Sequence, residues 1–82
     1  MSWQLRWSAT ATAGLLRIGW HQAERVDAAI LEFARSGKGN VVRLPTDDTV
    51  TVRLRVSPYA VRLSLDPFEG VMHVWAVYRL GG

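Results

Sequence analysis

Apolar and polar positions follow three rhythms along this chain. Trp3-Gln4-Leu5-Arg6-Trp7 alternates strictly, the pattern of a half-buried strand with both tryptophans and Leu5 turned inward. Ser8 or Thr10 can cap the helix that follows, roughly Ala9 to Arg17. Thr10, Thr12 and Gly14 are poor helix formers, so that helix depends on packing. Gly19 marks a break. From about His21 to Arg35 the period is helical: Ala23, Val26, Ile30, Phe33 and Ala34 form one apolar stripe, with Glu24, Arg25, Glu32 and Arg35 elsewhere on the wheel. Gly37 is placed as a left-handed cap.

After Gly39-Asn40 the period becomes two. Val41 to Leu44 reads as a short strand and Pro45-Thr46-Asp47-Asp48 as a turn. Val50, Val52, Leu54 and Val56 alternate with Thr49, Thr51, Arg53 and Arg55, a strand with one wet face. Ser57-Pro58 turns the chain. Tyr59, Val61, Leu63 and Leu65 then alternate with Ala60, Arg62 and Ser64, and Asp66-Pro67-Phe68-Glu69-Gly70 makes a second hairpin loop. Val71 to Arg79 is apolar on both faces, as a central strand should be. The order β-α-α-β-β-β-β predicts an α+β fold, with a helical hairpin on one face of a mainly antiparallel sheet.

Composition narrows the function classes. The chain has 82 residues and is 49% hydrophobic, enough for one core spanning residues 1–82 and not for two, since a domain this small buries only about 60% of its unfolded surface. It holds no cysteine, which excludes disulfides, thiolate metal sites and a thiol nucleophile. No run approaches the roughly 18 apolar residues of a membrane span, and Met1-Ser2-Trp3-Gln4-Leu5-Arg6 lacks a signal-peptide layout. A cytoplasmic protein without membrane contact is the expectation.

Ten Lys and Arg stand against seven Asp and Glu, a net +3, and every cation but Lys38 is arginine. Arginine is the better phosphate fork, although a coding bias toward arginine gives the same count. Position is more telling. Between Thr49 and Leu65 lie Arg53, Arg55 and Arg62 and no acid. Pairing Val56 with Tyr59 sets Leu54 opposite Val61, Val52 opposite Leu63 and Val50 opposite Leu65, so that all the apolar residues share one face. The other face then has Arg53 directly opposite Arg62, with Arg55 opposite Ala60 and Thr51 opposite Ser64. Like charges so placed destabilise a sheet. Two readings stand side by side: a polyanion site, with Arg79 also beside it, or long side chains that splay into solvent.

Other chemistry is sparse. His21 and His73 have no metal-ligand spacing and read as ordinary histidines. The tryptophans read as core, a stacking platform being the alternative for one of them. Tyr59 belongs to the buried set by phase. No phosphate loop, nucleophile–base–acid set or helical metal motif is present.

The stretch Arg53-Leu54-Arg55-Val56-Ser57-Pro58-Tyr59-Ala60-Val61-Arg62-Leu63, followed by Val74-Trp75-Ala76-Val77-Tyr78-Arg79, resembles the RelE/ParE toxin superfamily. Ala23 to Gly37 is similar to that family's second helix. The resemblance implies a toxin of a type II toxin–antitoxin system, with an acidic antitoxin as partner and no metal or organic cofactor. RelE-like members cut mRNA on the ribosome, basic residues of the open sheet face holding the scissile phosphate while the ribose 2′-hydroxyl attacks. ParE-like members bind DNA gyrase and cut nothing, and a degenerate member would only bind its antitoxin. Carried over residue by residue, Arg53 takes the place of a basic strand residue facing substrate and Arg55 the next basic position. The usual arginine after the tyrosine is Ala60, for which Arg62 on the same face is the substitute. Arg79 matches the closing arginine at a spacing one residue short. A lysine position reads Thr51, and the glycine before the tyrosine is Pro58. A C-terminal segment with a further catalytic side chain is expected to be absent. On this reading Arg53, Arg62 and Arg79 hold the phosphate, and Arg55 and Lys38 help bind the RNA backbone.

Overall fold

The computed structural model describes residues 3–44 and 50–81. Its elements are β1 (Gln4–Trp7), α1 (Ala9–Arg17), α2 (Trp20–Ser36), β2 (Val41–Leu44), β3 (Val50–Val56), β4 (Tyr59–Asp66) and β5 (Val71–Arg79). This is the expected α+β order, with α2 one residue longer at each end than its apolar stripe suggests. The turn expected at Pro45-Thr46-Asp47-Asp48 lies outside the described residues.

The sheet runs β1-β5-β4-β3-β2, with β1 parallel to β5 and the other neighbours antiparallel. β5 lies between β1 and β4, as its two apolar faces require. The β3–β4 register is the one apolar phase selects: Val56 meets Tyr59, Leu54 meets Val61, and Arg53 meets Arg62. The linking Ser57–Pro58 peptide is cis. At the other end of β4, Asp66 Oδ1 accepts from the backbone N–H groups of Phe68 and Glu69, each at 3.1 Å, which fixes the turn into β5.

Packing supports α1 where propensity does not. Ser8 caps it, its Oγ accepting from the Ala11 N–H at 3.0 Å. The same hydroxyl donates to the Trp75 carbonyl at 2.8 Å, tying the helix start to β5. One turn on, Gly14 lies so close to β5 that a Cβ there would fall well under 3.0 Å from the Val77 carbonyl oxygen. The glycine that weakens the helix is thus what lets it seat. α2 ends at Gly37, whose φ of 75° suits a residue without a Cβ and whose N–H donates to the Phe33 carbonyl at 2.9 Å. The Ala34 carbonyl near the same end accepts from the Trp3 N–H at 3.3 Å, joining α2 to the start of β1.

Between helices and sheet lies one apolar cluster. It is built on Ala11 from α1, Val26, Ile30, Phe33 and Ala34 from α2, and Val52, Leu54, Tyr59, Val61, Leu63, Met72, Val74 and Val77 from the sheet. Trp3, Leu5 and Trp7 pack against it half-buried, as their alternation predicts. Trp20 and Trp75 do not join it, contrary to the expectation that the tryptophans are core. Trp20 opens α2 off its apolar stripe and stacks on His21, ring centroids 3.6 Å apart; Trp75 stands on the sheet face away from the helices, at a bulge described below. Among the described residues no helix is long and apolar enough to cross a membrane.

Candidate functional site

Burial of one sheet face against the helices leaves the other open, and strand alternation decides what stands on it. From β3 come Thr51, Arg53 and Arg55; from β4, Ala60, Arg62 and Ser64. The register sets Arg53 and Arg62 directly opposite each other, at Cα separations of about 4.5–5.5 Å for such pairs. Arg53 is half-buried and Arg62 exposed. Among the described residues neither guanidinium has a carboxylate partner; the ion pair recorded there is between Arg35 and Glu32 on α2. The opposition read from the sequence is therefore present in the register, with no carboxylate offsetting it among the described residues.

Arg55 lies on the same face but is engaged. Its Nε donates to Ser57 Oγ at 3.1 Å. The carbonyl of the same serine accepts from Arg25 of α2 at 3.0 Å. The β3–β4 turn is thus held by an arginine from each side of the sheet.

Arg79 and Lys38 are not brought to this face. Between Arg62 and Leu63 the β4–β5 register shifts: Arg62 faces Ala76 and Leu63 faces Val74, so Trp75 is an extra residue in β5. Beyond the bulge every side chain changes side. Arg79 falls opposite Tyr59, a core residue, and so belongs to the helix-bearing face. The expectation that it stands beside Arg53 and Arg62 is corrected accordingly. Lys38 follows the C-terminus of α2, on the helix side of the sheet. There the Arg35 guanidinium, then the Ser36 hydroxyl, hold the Glu32 carboxyl below its ordinary range, and the Lys38 charge acts in the same direction.

Side chains the sequence reading did not place occupy the open face instead. Arg6 of β1 pairs with His73 of β5, so a further exposed cation flanks the arginine pair across β5. Its outward phase was legible in the Trp3–Trp7 alternation; its neighbours were not, because a parallel pairing across the chain leaves no local signal. Trp75 donates its indole Nε1–H to Ser64 Oγ at 2.7 Å and lies nearly parallel to His73, ring centroids 5.2 Å apart. Tyr78, opposite Ala60, completes the aromatic set.

Described residues line two hollows. One of about 450 Å³ lies at the Asp66 end of the open face, lined by Ser64, Asp66, Phe68, His73 and Trp75 among others. The other, about 460 Å³, lies between the helices, lined by Leu15, Leu16, Trp20 and Ala23 with Glu24 and Asp27 at its edge. Among the described residues no cluster of three His, Asp or Glu could hold a metal ion. The open face can therefore offer fixed positive charge and flat apolar surface. Arginine stabilises developing negative charge and does not exchange protons near neutral pH.

No family model and no curated protein matches the sequence. Solved structures do match the fold. A chain of the archaeal RelE–RelB complex from Pyrococcus horikoshii OT3 superposes with a TM-score of 0.77 at 21% identity, covering 99% of this chain and 98% of that one. A chain of the intact Escherichia coli RelBE toxin–antitoxin complex gives 0.74 at 18% identity, over 99% and 100%. A chain of the RelBE2 toxin–antitoxin complex from Mycobacterium tuberculosis gives 0.68 at 20%, over 96% and 99%. Over nearly its whole length, this chain has the fold of the RelE toxins.

Proposed function

We propose that this chain is the toxin of a type II toxin–antitoxin pair, and that its open sheet face holds an RNA phosphate as in a RelE-like, ribosome-dependent mRNA endonuclease. The observation that carries the reading is the pair Arg53 and Arg62, opposed across the open face of a RelE fold with no carboxylate partner among the described residues. A phosphate between two guanidinium groups turns their repulsion into shared attraction. In cleavage, the ribose 2′-hydroxyl loses its proton to water and its oxygen attacks phosphorus, the bond to the 5′-oxygen breaks and that oxygen takes a proton from water, leaving a 2′,3′-cyclic phosphate; charge grows on the phosphate oxygens on the way. Arginines stabilise that charge but do not take the 2′-hydroxyl proton, so in-line geometry imposed by the ribosome carries much of the rate. The partner in this reading is an antitoxin segment rich in acidic and apolar residues, whose charge offsets the net +3.

A second reading, a toxin that binds gyrase or another protein without cutting, is favoured by one observation: Ala60 and the reversed Arg79 thin the cation set. Mapping mRNA ends after brief induction separates the two. Discrete in-frame cuts are expected from the nuclease. Intact mRNA with DNA breaks and lost supercoiling identifies the gyrase poison. Harmless expression, with no acidic neighbouring gene product co-purifying, refutes the toxin assignment.

A further inference from the structure

The open face carries an aromatic patch that neither the core nor the phosphate reading uses. A bulge interrupts the β4–β5 ladder at Trp75, and bulges bend a strand and re-aim side chains. Here an indole stands one strand spacing, about 5 Å, from the strand that carries Arg62. Its only polar atom is satisfied by Ser64 Oγ at 2.7 Å, which fixes the ring plane. His73 lies beside it with 16° between the planes. Trp75 remains 42% exposed, so a side chain of strong apolar character is held rigid and presented to solvent.

The surroundings select the occupant. Arg62 and Arg53 lie to one side of this shelf, and Arg6, opposite His73, to the other. Asp66, at the end of the adjoining 450 Å³ hollow, has Oδ1 taken up by the turn N–H groups of Phe68 and Glu69. A flat apolar surface bracketed by cations fits a chain that alternates planar apolar groups with negative charges. Single-stranded nucleic acid has that character, and proteins meet it with aromatic platforms in basic grooves. An acidic peptide meets the charges but makes no particular use of parallel, immobilised rings.

We propose that the His73–Trp75 shelf is a nucleobase-stacking subsite for single-stranded RNA whose phosphates lie on Arg62, Arg53 and Arg6. This rests on the RNA reading above and adds to it the place where a base is held. Stacking is tolerant of base identity, so the shelf supplies affinity and position and leaves sequence choice to other contacts.

The test is fluorescence anisotropy of the full chain at fixed salt with two labelled probes: an oligoadenylate of about ten nucleotides and an abasic ribose-phosphate oligomer of equal length. Trp75→Ala is expected to weaken oligoadenylate binding roughly 5- to 150-fold, with abasic binding and the salt slope unchanged. Trp75→Phe, which keeps a ring, should recover most of the loss. Arg62→Ala should weaken both probes and lower the salt slope by about one. The shelf is overturned, with the RNA reading intact, if wild type binds both probes equally or if Trp75→Ala leaves oligoadenylate binding unchanged. It is also overturned if that variant weakens both probes alike, or loses only a co-purifying antitoxin. If wild type binds neither probe, the RNA reading itself falls, and the shelf with it.

Discussion

Replacing Arg62 with Glu should stabilise the protein while impairing what its open face binds. Arg62 stands opposite Arg53 in the β3–β4 register. Two guanidinium groups that lean apart from such a position are separated by roughly 7 Å, where like charges in water repel by about 0.6 kcal/mol. Screening reduces this to roughly 0.25 kcal/mol at physiological salt, where the Debye length is about 8 Å. A sign change at one partner replaces repulsion with attraction of similar size. The expected gain is therefore about 0.5 kcal/mol at physiological salt and about 1 kcal/mol near 10 mM salt. For a domain of this size these correspond to rises in melting temperature of about 2–4 °C and 4–8 °C.

Thermal unfolding at low, physiological and molar salt is the assay. The weaker β-propensity of Glu shifts all three curves alike by some tenths of a kcal/mol, so the salt-dependent part isolates the charge effect. The gain should vanish in an Arg53→Ala background, where no partner remains. RNA or ribosome affinity should fall in the same variant, with the salt slope lower by about one phosphate contact. Opposite movement of stability and binding is the signature of a local rule broken for a site. A lower melting temperature at low salt, or a gain that survives Arg53→Ala, refutes the opposed-charge reasoning.

Two further outcomes test the frame that holds this face. Gly14→Ala improves helix propensity by about 1 kcal/mol, but its Cβ meets the Val77 carbonyl of β5 and overpacking costs about 1–3 kcal/mol; the thermal midpoint should fall, and a rise would show that α1 can slide off its seat. Glu32 has its carboxyl held low, first by Arg35 and then by Ser36. Its contribution is thus present above the unfolded-state value and lost as pH falls through the folded one, so Glu32→Gln should flatten the acid side of the stability–pH curve, and an unchanged curve would refute the assignment.

The two strands that carry Arg53 and Arg62 were legible because one apolar phase runs through both and a short turn links them. A one-residue slip would reverse one strand against the other, burying Arg53 or Arg62 and exposing Leu54 or Val61, which are 1% and 0% exposed. Helix α2 was legible for the same reason, its stripe being long enough to fix a period. α1 was legible in place but not in cause: Gly14 reads as a weakness in sequence, and only the close approach to Val77 gives it a purpose. The parallel partner of β1 was not legible, since alternation says which side Arg6 takes and nothing about what lies beside it.

The bulge at Trp75 explains the misplaced arginine and the outward turn of Tyr78. With both faces apolar, nothing in the β5 sequence marks the bulge, and unbulged pairing from Asp66–Val71 onward would set Val61 against Ala76, Val77 on the open face and Arg79 on the arginine side. The extra residue instead pairs Val61 with Val77 and carries Val77 into the core, 7% exposed, beneath Gly14 of α1. The Ser8 hydroxyl that caps α1 accepts from the Ala11 N–H and donates to the Trp75 carbonyl, which ties the helix start to the irregular residue. The same shift that seats the first helix therefore sends Arg79 to the helix side and turns Tyr78 outward, while Trp75 keeps the outward side it would have had without it. Fold and candidate site share one cause here: the bulge that fills the core with Val77 also exchanges Arg79 for Tyr78 on the arginine face, beside the His73 and Trp75 that strand alternation already places there.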